Sequence, residues 1–237
     1  MKRGIAAVGA LSLMSMGVAN AALTTYDFDS PQATIGTKNT ASGDPNFDSG
    51  LAALGVTNAV LTPASPTNSP GVVDCNAAFG ANCGIITLPA GFANRFYSSG
   101  DGGTLTLTFG GGANSFGFNF WDGNIGLAQG LGIQAVAYDA AGTTILQTLT
   151  VDNGICTIQT GVNSTSCGLT SSGTYNFTGL GTIGKVTLAD RGNDTAYFDV
   201  FSADAISNQV IAPEPSTYFM IGSALAGLAT FRRRRNR

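Results

Sequence analysis

Apolar and polar residues alternate over several short segments of the chain, which is the pattern of β-strands with one buried face. Thr104–Phe109 puts leucine and phenylalanine on one face and threonine on the other, and Phe116–Phe120 repeats the pattern with aromatic residues. Gly110–Asn114, between the two, predicts a connecting loop. Further strands are expected at Ile133–Tyr138, Thr144–Val151, Tyr175–Phe177, Lys185–Leu188 and Tyr197–Phe201.

Turn residues rather than helices join these segments. Asp139–Gly142 is expected to close a hairpin, and no long stretch between the two ends of the chain keeps a 3.6-residue apolar period. Short antiparallel strands at this spacing are typical of sandwiches. We therefore predict an all-β fold, an antiparallel jelly-roll-like β-sandwich, over residues 22–205.

The chain begins with the features of a secretory signal peptide. Lys2 and Arg3 are followed by Gly4–Val18, an apolar run without a charge, and by small residues at positions 19–21. This order of parts is typical of a signal peptide, here residues 1–21, that signal peptidase removes. A membrane anchor is the alternative, but the run is short and ends in a cleavage site. Export is the prediction.

A second apolar run, Tyr218–Phe231, lies near the C-terminus. Its 14 uncharged residues would extend about 21 Å as a helix, which is short for a hydrocarbon core of ~30 Å. Ser216, Thr217 and arginine side chains that reach toward the interface would allow a crossing. We predict a single transmembrane helix with its terminal arginines in the cytoplasm, preceded by a linker at residues 206–212.

The segment 213–237 resembles a known sorting signal. A Pro-Glu-Pro motif precedes the apolar run and an arginine cluster follows it, so that the residues carrying the resemblance are Pro213, Glu214, Pro215, Arg232, Arg233, Arg234 and Arg235. This order of parts closely resembles the PEP-CTERM sorting domain of Gram-negative bacteria. The resemblance implies that an exosortase processes an inner-membrane-anchored precursor near the Pro-Glu-Pro motif. The ectodomain would then reach the cell surface or the extracellular matrix.

The stretch Ser115–Val151 also resembles a recurring ectodomain of such sorted proteins. The shared elements are a Ser-Phe-Gly-Phe strand that begins at Ser115, an Ala-Val-Ala-Tyr-Asp strand at residues 135–139, and Gly142. The aromatic strand Tyr197–Phe201 stands where that pattern ends. The resemblance implies a jelly-roll sandwich like that of carbohydrate-binding modules, without a known ligand.

The part between the two terminal segments is strongly acidic and lacks most catalytic residue types. Four basic residues face 13 aspartates there, a net charge of −9. Such a surface does not neutralise phosphates, so nucleic acid is not expected as a partner. The sequence has no histidine, and its only glutamate is Glu214, which excludes a Ser-His-Asp triad and histidine-ligated zinc. We predict that the protein is not an enzyme; an aspartate-based hydrolase is the alternative.

The four cysteines are expected to form disulfides, as is usual for an even count in an exported chain. Three pairings exist, and the local one joins Cys75 to Cys83 and Cys156 to Cys167 across short polar stretches where loops are expected. A metal site is disfavoured because the chain has neither Cys-x-x-Cys spacing nor histidine.

Trp121, the only tryptophan, is followed by Asp122 and Asn124. An exposed aromatic ring beside carboxylate and amide groups suits sugar binding, because the ring stacks on the sugar while the polar groups bond its hydroxyls. The alternative is that Trp121 closes the core at the end of its strand, since tryptophan is highly buried on average.

Asp27 and Asp29 near the first strand, with Asp199 at the last, form a candidate calcium site, because oxygen ligands suit this hard cation. The alternative is that Asp27 and Asp29, which alternate with Tyr26 and Phe28, only mark a solvent-facing side. No other cofactor is expected.

Three classes of function remain open from the sequence. The prediction is a noncatalytic exported surface or matrix protein, sorted by exosortase and associated with exopolysaccharide in a biofilm. The alternatives are a carbohydrate-binding module or adhesin centred on Trp121, and a secreted hydrolase that uses two aspartates.

Overall fold

The computed structural model describes residues 23–28, 50–62, 71–75, 88–93, 95–122, 132–152, 154–191 and 195–206. Within them the chain forms eleven β-strands. In chain order these are β1 (Thr24–Tyr26), β2 (Val56–Thr62), β3 (Gly71–Asp74), β4 (Arg95–Asp101), β5 (Thr104–Asp122), β6 (Ile133–Tyr138), β7 (Ile145–Asp152), β8 (Ile155–Thr160), β9 (Asn163–Ser166), β10 (Ser172–Asp190) and β11 (Thr195–Ala205). The predicted all-β class is confirmed.

All of these strands belong to one antiparallel sheet, with the order β3-β4-β11-β5-β10-β6-β7-β8-β9. β1 pairs with β11 and β2 pairs with β5 outside this path. The predicted hairpin between β6 and β7 is present, and its turn is closed by the Gly142 N–H, which donates to the Asp139 carbonyl at 2.8 Å.

β5 and β10 divide the sheet into two layers, because each has 19 residues and pairs with different neighbours along its length. The later half of β5 and the early half of β10 lie with β11, β4, β3 and β1, which we call the first layer. The early half of β5 and the later half of β10 lie with β2, β6, β7, β8 and β9, the second layer. This arrangement is consistent with a β-sandwich.

The prediction of a loop at Gly110–Asn114 was wrong. These residues stay within β5, and the chain bends there instead, with Gly112 at a φ of 82° that favours glycine. β10 bends opposite, where its register against β5 shifts between Thr178 and Ile183. Bulges of this kind turn a strand from one layer into the next without ending it.

One main core cluster joins residues of both layers. It includes Phe118, Phe177 and Phe198 from the first layer with Ala135 and Leu188 from the second, all buried. Burial of apolar surface on this scale is the dominant stabilising term in such a fold.

None of the described residues forms a helix that is long and apolar enough to cross a membrane. The predicted transmembrane helix over Tyr218–Phe231 lies outside the described residues, as does the predicted signal peptide at residues 1–21.

Candidate functional site

The sorting signal follows closely on the last strand. β11 ends at Ala205, and the N–H of Ile206 still donates to the Gly112 carbonyl at 2.8 Å. Ile206 is the last described residue, so the predicted linker and the signal residues of segment 213–237 lie outside the described part of the chain.

Trp121 lies in a second apolar cluster on the outer face of the first layer. Its ring centroid is 5.2 Å from that of Tyr197 and 6.0 Å from that of Phe92, and the residue is only 5% exposed. The cluster consists of Val73, Cys75, Phe92, Phe96, Trp121 and Tyr197.

This burial favours the interpretation that Trp121 closes the core over the interpretation that it binds a sugar, because a ring that stacks on a sugar must be open to the ligand. Asp122 is also buried, and its backbone N–H donates to the Ser171 carbonyl at 2.7 Å. Asn124, the third residue of the predicted sugar site, lies outside the described residues.

Three polar rows cross the same outer face, next to the Trp121 cluster. Each row takes one residue from β10, one from β5 and one from β11 in direct register. We call this surface the polar face; its rows are Thr174, Asn119 and Asp199, then Asn176, Gly117 and Ser202, then Thr178, Ser115 and Asp204.

The residues of the polar face differ in exposure. The three on β10 are exposed, whereas Asn119 and Asp199 are buried under the segment Leu88–Ala93, which we call the strap. Gly117 leaves room for its neighbour, since a Cβ there would lie 2.5 Å from Ser202 Oγ.

Asn119 and Asp199 hold the strap against the sheet. The Asn119 side-chain amide donates to the Gly91 carbonyl at 2.8 Å and accepts from the Thr174 hydroxyl at 2.7 Å. The Asp199 carboxylate accepts the Ala93 N–H at 3.2 Å. A buried polar group of this kind is tolerated because it is bonded.

Asp199 also stabilises an unusual backbone. Its other carboxylate oxygen accepts the N–H of Val200 at 2.8 Å, and Val200 has a φ of 45°, which is rare for a β-branched residue. The register of β11 against β5 shifts between Asp199 and Ser202 at this point. The carboxylate thus bonds the bulge and the strap together.

The structure brings together only part of the predicted calcium site. β1 pairs with β11, with Tyr26 opposite Phe201, which places Asp27 near the bulge. Asp27 is exposed, Asp199 is fully buried, and Asp29 lies outside the described residues. Among the described residues, no group of three or more acidic or cysteine side chains is placed to hold a metal ion.

The predicted disulfide between Cys156 and Cys167 is present, with 5.4 Å between the two Cα atoms. It joins β8 to the residue that directly follows β9. Cys75 is also disulfide-bonded, and its predicted partner Cys83 lies outside the described residues.

Two tyrosines show contrasting surroundings that the sequence did not indicate. Burial raises the pKa of Tyr97 well above its usual value, and none of the described residues forms a hydrogen bond with its buried hydroxyl. Partial burial also raises the pKa of Tyr175, but this hydroxyl donates to Gln147 Oε1 at 2.7 Å. Tyr175 thereby links the first layer to the second.

Comparisons with known proteins identify the C-terminal segment. Residues 212–235 match the model of the PEP-CTERM protein-sorting motif. No curated protein matches the sequence significantly.

Solved structures resemble the fold only distantly. The K2 cleaved adhesin domain of Lys-gingipain is 13% identical, with 77% of this chain and 97% of that domain covered and a TM-score of 0.43. The K1 cleaved adhesin domain of Lys-gingipain from Porphyromonas gingivalis W83 is 12% identical over 78% and 99% of the two chains, with a TM-score of 0.35. A family 11 carbohydrate-binding module from Clostridium thermocellum, solved with a mixed-linked tetrasaccharide, is 10% identical over 63% and 89%, with a TM-score of 0.31.

At TM-scores this low, these likenesses carry no inference about a ligand. The sorting motif is different, because its order of parts lies in one contiguous segment directly behind a folded domain. The chain is an exported all-β protein that carries the PEP-CTERM protein-sorting motif of exosortase substrates.

Proposed function

We propose that this is a noncatalytic surface or extracellular-matrix protein that an exosortase delivers into or near the exopolysaccharide of a biofilm. The observation that carries the proposal is the sorting motif at residues 212–235, which follows the last strand by only a few residues. In this proposal the β-sandwich is the domain that is exported, and the C-terminal segment is its sorting signal.

The surroundings of two buried aspartates support a noncatalytic role. Asp199 accepts two backbone N–H groups, and Asp190 accepts the N–H of Gly102 at 2.8 Å. Carboxylates whose oxygens accept backbone N–H groups in this way stabilise the fold. The same bonds make them poor general bases. With no histidine in the sequence, few groups remain for acid–base chemistry.

The proposal includes the route of the precursor. The signal peptide at residues 1–21 directs export, and a helix over Tyr218–Phe231 holds the precursor in the inner membrane of a Gram-negative cell until exosortase acts. The linker at residues 206–212 separates the helix from the domain, to which we assign a jelly-roll connectivity.

The mass of the mature protein in its host, with and without the exosortase, tests this proposal. Loss of the segment after Pro213 only when the enzyme is present is the expected result. A tail that is retained in both strains would leave a plain membrane anchor and remove the main support for a matrix role.

Carbohydrate binding is the second candidate, and the polar face favours it. Hydroxyl and amide side chains dominate its three rows, and those on β10 are exposed. Slower migration of the protein in gels that contain the host's neutral exopolysaccharide would support it. Replacing both Asn176 and Thr178 by alanine should abolish the retardation, while the control Gln159→Ala, at an exposed position of β8, should not.

A further inference from the structure

β9 is the last strand of the sheet order, and one of its two sides is open. Among the described residues β9 pairs only with β8, with Thr157 opposite Ser166 and Thr160 opposite Asn163. All four residues of β9 are exposed. An edge strand of this kind presents a row of unpaired backbone groups to which another strand can bond.

The hydrogen bonds of the β8–β9 hairpin show which backbone groups of β9 face outward. The N–H of Cys167, directly after β9, donates to the Cys156 carbonyl at 3.1 Å, and the two Cα atoms are 5.4 Å apart. This is the spacing of a hydrogen-bonded pair in an antiparallel ladder, where hydrogen-bonded and non-hydrogen-bonded pairs alternate. Thr165 therefore bonds to β8, whereas the N–H and C=O groups of Ser164 and Ser166 point away from it.

Two other outer strands of the sheet are protected from further pairing. In the second layer, the edge strand opposite β9 is β2, whose register against β5 shifts between Val56 and Asn58. In the first layer, β3 is buried at Gly71, Val72 and Val73. Bulges, burial, charges and proline all keep edge strands from pairing. β9 has none of these four features, since its ladder with β8 is regular and its residues are exposed, uncharged and not proline.

The hairpin is also uncharged within an acidic domain. Residues 153–184 contain no charged side chain, whereas the domain as a whole has 13 aspartates against four basic residues. Two copies of the domain that approach through other surfaces bring like charges together, and this repulsion opposes association. Two copies that approach through β9 avoid it. The charge distribution therefore favours a second copy of this chain as the partner of β9.

β9 is complementary to itself. When β9 of a second copy lies antiparallel to it, with Thr165 on the twofold axis, Ser164 of each copy lies opposite Ser166 of the other. Each of these two pairs exchanges two N–H···O=C bonds, so that all outward backbone groups of the two serines are bonded. A twofold contact of this kind is closed, because the same edge serves both copies.

The same register brings two exposed aliphatic side chains together. Val162 is 97% exposed in the turn of the hairpin, and Ile155 is 67% exposed at the start of β8. Val162 would lie opposite Gly168 of the second copy, whose neighbour on β8 is Ile155. A Cβ built on Gly168 would meet nothing within 4 Å, so there is room for the valine. Pairing thus covers apolar surface that a single copy leaves in water.

We propose that the domain forms a twofold dimer in which the β9 strands of two copies pair antiparallel and continue the second layer from one copy into the other. The disulfide between Cys156 and Cys167 holds β9 against β8, so the edge is already ordered before it pairs, which reduces the entropy lost on association. The dimer goes beyond the proposed sorting and does not depend on it.

Charge changes at the twofold axis test the dimer. The side chains of Thr165 from the two copies would form a non-hydrogen-bonded pair, in which side chains are closest. Full-length copies with two different affinity tags are produced together in nonionic detergent and purified through the first tag, and the recovered second tag measures association. Thr165→Asp and Thr165→Lys are combined in all ways. Asn58→Asp is the matched control, because Asn58 is exposed on β2 at the other edge of the second layer.

We expect recovery of the second tag to fall about fivefold when both copies carry Thr165→Asp or both carry Thr165→Lys, since like charges directly opposite each other are destabilising. One copy of each variant should restore recovery to at least the wild-type value. Asn58→Asp in both copies should leave it unchanged. No recovery with wild-type copies, equal recovery in all combinations, or a loss that the mixed pair does not restore would each overturn the dimer.

A proline tests the backbone bonds separately. Ser164→Pro removes an N–H that points away from β8, so it should leave the hairpin intact, as proline is tolerated at such edge positions. In the dimer it removes two of the four bonds, and recovery should fall. Ser164→Ala keeps the N–H and should keep wild-type recovery. Equal recovery with the proline and alanine variants would contradict pairing through β9.

Discussion

The two faces of the later half of β5 follow the same alternation but are stabilised by different interactions. Phe116, Phe118 and Phe120 point into the main core and are at most 1% exposed. On the opposite face of the same strand, Asn119 bonds to the strap and to β10. The core face depends on apolar contact alone, whereas the outer face combines the Trp121 cluster with a few directed hydrogen bonds.

This difference indicates how sensitive each face is to substitution. Apolar packing depends on volume and is spread over many neighbours: the Phe118 ring lies 5.9 Å from the rings of both Phe177 and Phe198. The directed bonds of the outer face come from two side chains, Asn119 and Asp199, and all of these bonds except the one to the residue after Asp199 join segments that lie far apart in the sequence. We therefore expect substitutions on both faces to cause large losses of stability. On the core face many positions should be sensitive, and on the outer face only a few.

The largest effect is expected on the core face. Phe118→Ala should lower the free energy of unfolding by about 4 kcal/mol, because a fully buried ring leaves a cavity that the rigid sheet fills poorly. Urea denaturation of the purified oxidised protein measures the change. Asn176→Ala is the control on the exposed part of the polar face and should change stability by no more than about 0.5 kcal/mol.

The next effect tests the outer face. Asp199→Ala should lower the free energy of unfolding by about 3 kcal/mol, because the N–H groups of Ala93 and Val200 lose their acceptor in a buried place. The same urea titration measures it, and the strap should become more sensitive to protease.

Asp204→Ala is the matched control for Asp199→Ala, since both aspartates lie on β11 and on the polar face. Asp204 accepts the exposed Asn114 amide at 3.2 Å, and its loss should lower stability by less than about 1 kcal/mol. Equal losses of stability in the two variants would mean that burial of a bonded carboxylate does not determine how much it stabilises the fold.

Alternation of apolar residues predicted the strands well and the bends poorly. Leu105, Leu107 and Phe109 indicated the early half of β5 correctly, because a period of two is a local property. Gly110–Gly112 indicated a loop, since glycine is common in loops and in bulges alike. What keeps these residues in β5 is pairing with β10 and β11, such as Ala113 with Ile183, and the local sequence does not contain that information.

The candidate sites also differ in how far the local sequence could predict them. The sorting motif is contiguous, so its order of parts could be recognised from residues 213–237 alone. The surroundings of Asp199 could not, because Ala93 lies 106 residues away in the sequence. Trp121 was ambiguous for the same reason: its burial depends on Phe92 and Tyr197, and the adjacent Asp122 and Asn124 suggested an exposed site instead.

Removing a polar atom from the core face should have a smaller effect on stability, and one of opposite sign. Tyr97→Phe should raise the free energy of unfolding by about 1 kcal/mol, because it removes a buried hydroxyl that bonds to no residue in the described part of the chain. Tyr175→Phe is the matched control and should lower stability by about 1 kcal/mol, since that hydroxyl donates to Gln147. A loss of stability in both variants would contradict the assignment of Tyr97 as unbonded.

The smallest effect concerns an exposed aspartate with the same kind of bonds as Asp199. Asp139 Oδ1 accepts the N–H groups of Thr143 and Thr144 at 2.9 and 3.0 Å. These bonds lower the pKa of Asp139 below its usual 3.8. A lowered folded-state pKa means that the charged form stabilises the fold above the unfolded-state pKa and that this contribution is lost as the pH falls through the folded-state pKa.

Asp139→Asn should therefore lower the urea midpoint slightly at pH 7, and the difference from wild type should shrink as the pH falls below 3.8. Urea titrations at neutral and acidic pH measure this convergence. The turn is open to solvent, so the effect should be well below that of Asp199→Ala. A difference between wild type and variant that stays constant across this range would show that the carboxylate charge does not stabilise the turn.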